Sequence, residues 1–108
     1  QKDLLVEYKT AYEEKYNEYV STFGGHAYDS LQLVVKAIKE VGPETKEDDV
    51  NVALRAKIRD AIEKTKNFAG TGGIFNFSPD DHNGLTKDAF DMMVVKDGNF
   101  VSLEDYGE

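Results

Sequence analysis

A chain of 108 residues with 21 acidic and 13 basic side chains carries a formal charge of −8, so its summed field repels phosphate backbones and anionic lipid surfaces and no nucleic-acid partner is expected. It contains no cysteine, which removes a disulfide framework, a thiolate zinc site and a cysteine nucleophile together. A hydrophobic share of 40% against 31% charged fits a folded globular chain, and the length of one small domain leaves room for only a thin core.

The apolar positions Leu4, Leu5, Tyr8, Ala11, Tyr12, Tyr16 and Tyr19 recur at the spacing of one helix face and predict a tyrosine-rich amphipathic helix over about residues 3–20. That regularity argues for a packing face, not a stacking platform. Gln1 enters the pattern almost at once, with no initiator methionine, signal segment or leading strand, and the expectation is a mature or trimmed piece. Gly24-Gly25 interrupts the pattern as a turn. Ala27, Leu31, Val34, Val35, Ile38 and Val41 then mark the apolar face of a second helix over about 27–41, which stops at Gly42-Pro43. The polar stretch Glu44 to Asp49 reads as a connector, and Leu54, Ile58, Ala61, Ile62 and Thr65 give a third helix over about 52–66.

After Phe68 the texture changes. Gly70, Gly72 and Gly73 frame the alternating Ile74, Phe75, Asn76, Phe77, which predicts a short strand at about 74–77 closed by Ser78-Pro79. Asp97-Gly98 between the apolar runs Phe90–Val95 and Phe100–Leu103 predicts a hairpin, with strands over about 90–96 and 99–104. The expected class is α/β, three helices followed by short β-strands including a C-terminal hairpin. No apolar run approaches the roughly 18 residues of a membrane span. Three amphipathic helices need more sheet to cover than these strands supply, so a larger sheet is expected outside this chain.

Few constellations suggest chemistry. Gly70-Thr71-Gly72-Gly73 follows a helix and enters a strand, the reverse of a phosphate-binding loop, and it lacks the lysine. Asp80-Asp81-His82-Asn83-Gly84 resembles a calcium loop only until Pro79 and Phe90 fall where carboxylates are needed; a solvated turn is the expected use. Asp80 with His82, or Asp29 with His26, are conceivable acid–base pairs without a nucleophile beside them. No catalytic residue, metal site or cofactor is expected.

Phe23-Gly24-Gly25-His26-Ala27-Tyr28-Asp29-Ser30-Leu31, followed by Ala37-Ile38, resembles a stretch of type I periplasmic solute-binding proteins of the Leu/Ile/Val-binding group, in which a loop enters a helix bearing Tyr-Asp-Ala/Ser-Leu. Phe68-Ala69-Gly70-Thr71-Gly72-Gly73-Ile74-Phe75-Asn76-Phe77-Ser78 is similar to that group's Phe-x-Gly-x-x-Gly-x-x-x-Phe segment, and His82-Asn83-Gly84-Leu85 and Val94–Val101 resemble its closing strands. The resemblance spans nearly the whole chain in the right order. It implies the C-terminal portion, residues 1–108 as one segment, of a two-lobed protein that holds a small organic solute, an amino acid or related carboxylate, in the cleft between its lobes. The implied partners are that solute and the membrane subunits of an ABC-type importer, and the implied location is periplasmic or extracellular in a bacterium.

Within that resemblance only the loop Phe23 to Tyr28 maps onto a cleft-lining segment, so Gly24, Gly25, His26 and Tyr28 are the expected ligand-binding residues. Tyr28 and Asp29 also read as the start of a helix, the aspartate favouring its dipole. Rival readings are the ligand-sensing region of a bacterial receptor with the same fold, a small enzyme using His82 or His26, and a free-standing interaction domain. With too little sheet to cover its helices, the chain alone is expected to form a homodimer or higher closed oligomer.

Overall fold

The computed structural model describes residues 1–42, 50–104 and 106; the connector expected over Glu44 to Asp49 falls outside the described residues. Helix α1 spans Lys2–Tyr16. It ends where Asn17 turns left-handed (φ 53°) and returns its N–H to the Glu13 carbonyl at 2.9 Å, a conformation asparagine tolerates better than most residues. The helix therefore stops short of residue 20, and Tyr19 lies outside it, 91% exposed. Contrary to the packing face expected, no residue of α1 is buried. Tyr12 and Tyr16 pack on each other at 4.8 Å, and Tyr8 reaches Tyr28 of the next helix at 4.9 Å.

Helix α2 runs Thr22–Val41, capped by Ser21, whose hydroxyl accepts the Gly24 N–H at 3.1 Å. Gly24 and Gly25 thus belong to its first turns and not to a turn between helices. A good cap offsets the propensity cost of two glycines, about 1 kcal/mol each. Helix α3, Val50–Glu63, packs beside α2.

Beyond α3 the chain ties itself back to the helix end. The Thr65 hydroxyl donates to Ala61 O at 3.0 Å, Phe77 N donates to Thr65 O at 3.0 Å, and Lys66 Nζ donates to Phe77 O at 2.6 Å. Strand β1 (Phe68–Ala69), not foreseen from sequence, pairs antiparallel with β2 (Ile74–Phe75). The strand expected to reach Phe77 stops at Phe75 because Asn76 N turns to the Gly84 carbonyl at 2.8 Å. Among the described residues the buried hydrophobics are Ala37, Phe75 and Phe77, and the two phenyl rings stack at 5.8 Å.

Gly84 shapes the turn that returns to this core. Its φ is +73°, and a Cβ there would lie 2.8 Å from the Phe77 ring. Gly84→Ala is expected to lower stability by about 2 kcal/mol, read as a reduced denaturation midpoint; an unchanged midpoint would show that Phe77 yields freely.

Strands β3 (Met93–Lys96) and β4 (Asn99–Ser102) form the C-terminal hairpin in the register Val95↔Phe100. Asp97 (φ 51°) and Gly98 (φ 79°) supply the two positive angles of a type I′ turn. Phe90 is outside β3, closing a short 3₁₀ turn at Lys87–Ala89. The covered face of α2 carries Gly25, Asp29 and Ala37, whereas Leu31, Val34 and Ile38 of the face read as apolar are exposed. The radius of gyration is 17.8 Å, against roughly 13 Å for a compact domain of this size. The described chain is elongated, with apolar surface open along α2 and the hairpin.

Candidate functional site

Two turns into α2, Asp29 is 4% exposed. Its carboxylate faces the turn between β1 and β2, where Oδ1 accepts the Thr71 N–H at 2.7 Å and Oδ2 accepts the Gly72 N–H at 2.9 Å and the Thr71 hydroxyl at 3.0 Å. A carboxylate receiving three donors satisfies most of its lone pairs and offsets the cost of burial. This fastening joins residues 42 and 43 positions apart and holds the glycine turn on the helix. The dipole role expected for Asp29 is corrected: the residue lies well past the first turn, and its partners are the amides of the glycine turn.

The glycines permit the close approach. A Cβ on Gly25 would sit 2.7 Å from the Thr71 hydroxyl, one on Gly70 would sit 2.7 Å from the Asp29 carboxylate and 2.8 Å from the Phe75 ring, and one on Gly72 would sit 2.8 Å from His26 Cε1. Each space is filled by a functional group of the opposing segment. The run Gly70 to Gly73 therefore serves as a docking turn for a side chain of the same molecule.

The four expected site residues divide between two surroundings. Gly25 is buried against Thr71, and His26, exposed, lies over Gly72. Gly24 lies beneath the Tyr8 hydroxyl, and half-buried Tyr28 packs on the Tyr8 ring. Between α2 and the small sheet is a cavity of about 70 Å³, with His26, Asp29, Phe68 and Phe75 among its walls. That is roughly two waters, far below the several hundred Å³ of ordinary solute sites. A solute meeting His26 therefore needs further walls beyond this surface.

The second polar motif forms a turn. Asp81 Oδ1 accepts the N–H of Asn83 at 2.9 Å and that of Gly84 at 3.4 Å, and the Ser78 hydroxyl accepts the Asp81 N–H at 3.0 Å. His82 Nε2 lies 3.1 Å from Glu63 Oε1, so its partner is at the end of α3 and not Asp80. The Asp29 oxygens are taken by the glycine turn, which leaves the pair considered with His26 without the geometry of a base and its orienter. Among the described residues no group of three histidine or acidic side chains gathers to hold a metal, and no helix is long and apolar enough to cross a membrane.

No family model and no curated protein matches the sequence. Two solved structures from Rhodopseudomonas palustris do. An extracellular ligand-binding receptor is 31% identical with a TM-score of 0.65, the match covering 87% of this chain and 26% of that one. Rp1789 of strain CGA009 is 28% identical with a TM-score of 0.66, the match covering 95% of this chain and 30% of that one. The chain has the fold of part of a periplasmic-binding-protein-like receptor, three helices and then short antiparallel strand pairs, and spans less than a third of the length of the structures it matches.

Proposed function

We propose that this chain is the C-terminal segment of an extracytoplasmic solute-binding protein of the Leu/Ile/Val-binding type. In this reading the whole protein captures a small organic solute, an amino acid or related carboxylate, and delivers it to the membrane subunits of an ABC-type importer without chemical change. The observation that carries the reading is the match of nearly the whole chain to part of an extracellular ligand-binding receptor. Support also comes from the fastened glycine turn, which fixes the start of α2 in one position relative to β1 and β2 and so provides the rigid support that a binding residue requires.

Gly24, Gly25, His26 and Tyr28 are assigned to the solute cleft, His26 as the contacting side chain. Gly25 and Tyr28 are held by Thr71 and Tyr8, and their role is to set the position of His26. In the whole protein, His26→Ala is expected to weaken solute binding about tenfold, the scale of one lost hydrogen bond or packed ring. Calorimetry checks this with whichever solute a thermal-shift screen of amino acids and aromatic acids identifies. Unchanged affinity would remove His26 from the cleft, and a screen with no hit among organic carboxylates would remove the reading itself.

A further inference from the structure

Three glycines stand in the turn between β1 and β2, and their surroundings give them different duties. A Cβ on Gly70 would meet the Asp29 carboxylate at 2.7 Å and the Phe75 ring at 2.8 Å, and both of those side chains are buried with no room to withdraw. Gly73 has a φ of +147°, and a Cβ there would lie 2.8 Å from Leu85 and 3.0 Å from Ala89. Positions 70 and 73 are therefore bare for the sake of the fold. Gly72 differs. Its φ lies outside the left-handed region, and the only atoms a Cβ would crowd belong to the His26 ring, Cε1 at 2.8 Å and Nδ1 at 3.2 Å, with Asp29 Oδ2 at an ordinary 3.6 Å.

His26 is exposed, and its imidazole makes no hydrogen bond among the described residues; the Ser30 hydroxyl, at 2.8 Å, donates to its backbone carbonyl and not to its ring. No polar partner fixes the ring, so contact with the bare face of Gly72 sets how closely it lies on the turn. We infer that Gly72 is a positioning residue of the solute cleft: its missing side chain lets the His26 imidazole seat against the turn and so sets how far that ring reaches toward the solute. This role rests on the assignment of His26 to the cleft. Gly72→Ala pushes the ring outward by roughly 1 Å, the gap between 2.8 Å and an ordinary carbon–carbon contact. It keeps the N–H that Asp29 accepts, and an exposed ring yields without giving up buried contacts. The fold is therefore kept while the fit to the solute is spoiled.

The test uses the whole protein and begins without solute. In NMR the His26 Hε1 resonance, identified by its loss in His26→Ala, is expected to show a nuclear Overhauser effect to the Gly72 Hα protons. In Gly72→Ala that resonance shifts while the denaturation midpoint does not fall; Gly70→Ala, by contrast, lowers the midpoint because Asp29 and Phe75 cannot move aside. The binding probe is the acid that gives the largest thermal shift among amino acids and aromatic acids. Gly72→Ala is expected to weaken it about tenfold, as His26→Ala does, and the double variant to weaken it no further than either alone. The inference is overturned by an absent Overhauser effect, by a lowered midpoint in Gly72→Ala, by losses that multiply in the double variant, or by full affinity in Gly72→Ala beside a weakened His26→Ala. Full affinity in His26→Ala is a different failure: it removes His26 from the cleft, and Gly72 loses its role with it.

Discussion

Asp29→Ala is expected to cost about 3 kcal/mol, because it leaves the N–H groups of Thr71 and Gly72 and the Thr71 hydroxyl without their acceptor in a partly buried setting. For a domain whose whole stability is on the order of 5–15 kcal/mol, that is a large fraction. Asp29→Asn keeps the shape and one carbonyl oxygen but offers an amide N–H₂ where two donors now point, and about half the loss is expected. Denaturant unfolding measures both losses, and hydrogen exchange at Thr71 and Gly72 locates them. Unaltered exchange at those two amides in Asp29→Ala would mean that the glycine turn holds its shape unaided.

The chain alone at micromolar concentration is expected to self-associate. Leu31, Val34 and Ile38 are 61%, 39% and 47% exposed, and Met93, Val95 and Phe100 leave one face of the hairpin open as well. Burying such a side chain fully contributes about 1.5–3 kcal/mol, and a two-fold axis brings each exposed face of one copy against the same face of another. The net charge of −8 opposes this, so raising salt should favour association. Light scattering should report a mass above 12.1 kDa that falls to the monomer in Leu31→Glu/Ile38→Glu. A compact monomer whose cooperative unfolding is independent of concentration would refute the prediction.

The sequence made some elements legible and concealed others for specific reasons. The hairpin could be read because Asp97-Gly98 states its turn in two residues, and both take the positive φ that the reading requires. The three helices are readable from periodicity, but the periodicity runs past the end of α1 because Asn17 interrupts the backbone without disturbing the tyrosine spacing. For α2 the more apolar face is the exposed one. The face that is covered runs Gly25, Asp29, Leu33, Ala37 at steps of four, and a carboxylate in its middle makes it read as polar until the donors of the glycine turn are in view.

The fastening of Asp29 was hidden because its partners lie more than forty residues away and two of its three donors are backbone groups, which leave no trace in side-chain chemistry. The signal that could have exposed it was the pairing of an aspartate on a helix with a glycine-rich turn lacking a phosphate-binding lysine. His82 stands close to Asp80 in sequence, but its partner, Glu63, belongs to another element and no local spacing announces it.

The close contact of Gly25 with Thr71 has a consequence for how this sequence can change over time. The two positions share one volume, so a methyl group gained at 25 has to be matched by atoms given up at 71. The atom nearest to such a methyl is the Thr71 hydroxyl oxygen, which also binds Asp29, so the adjustment passes on to a third position. Residues 25, 29 and 71 are therefore expected to drift as a set, and a substitution tolerated at one of them depends on the history of the other two.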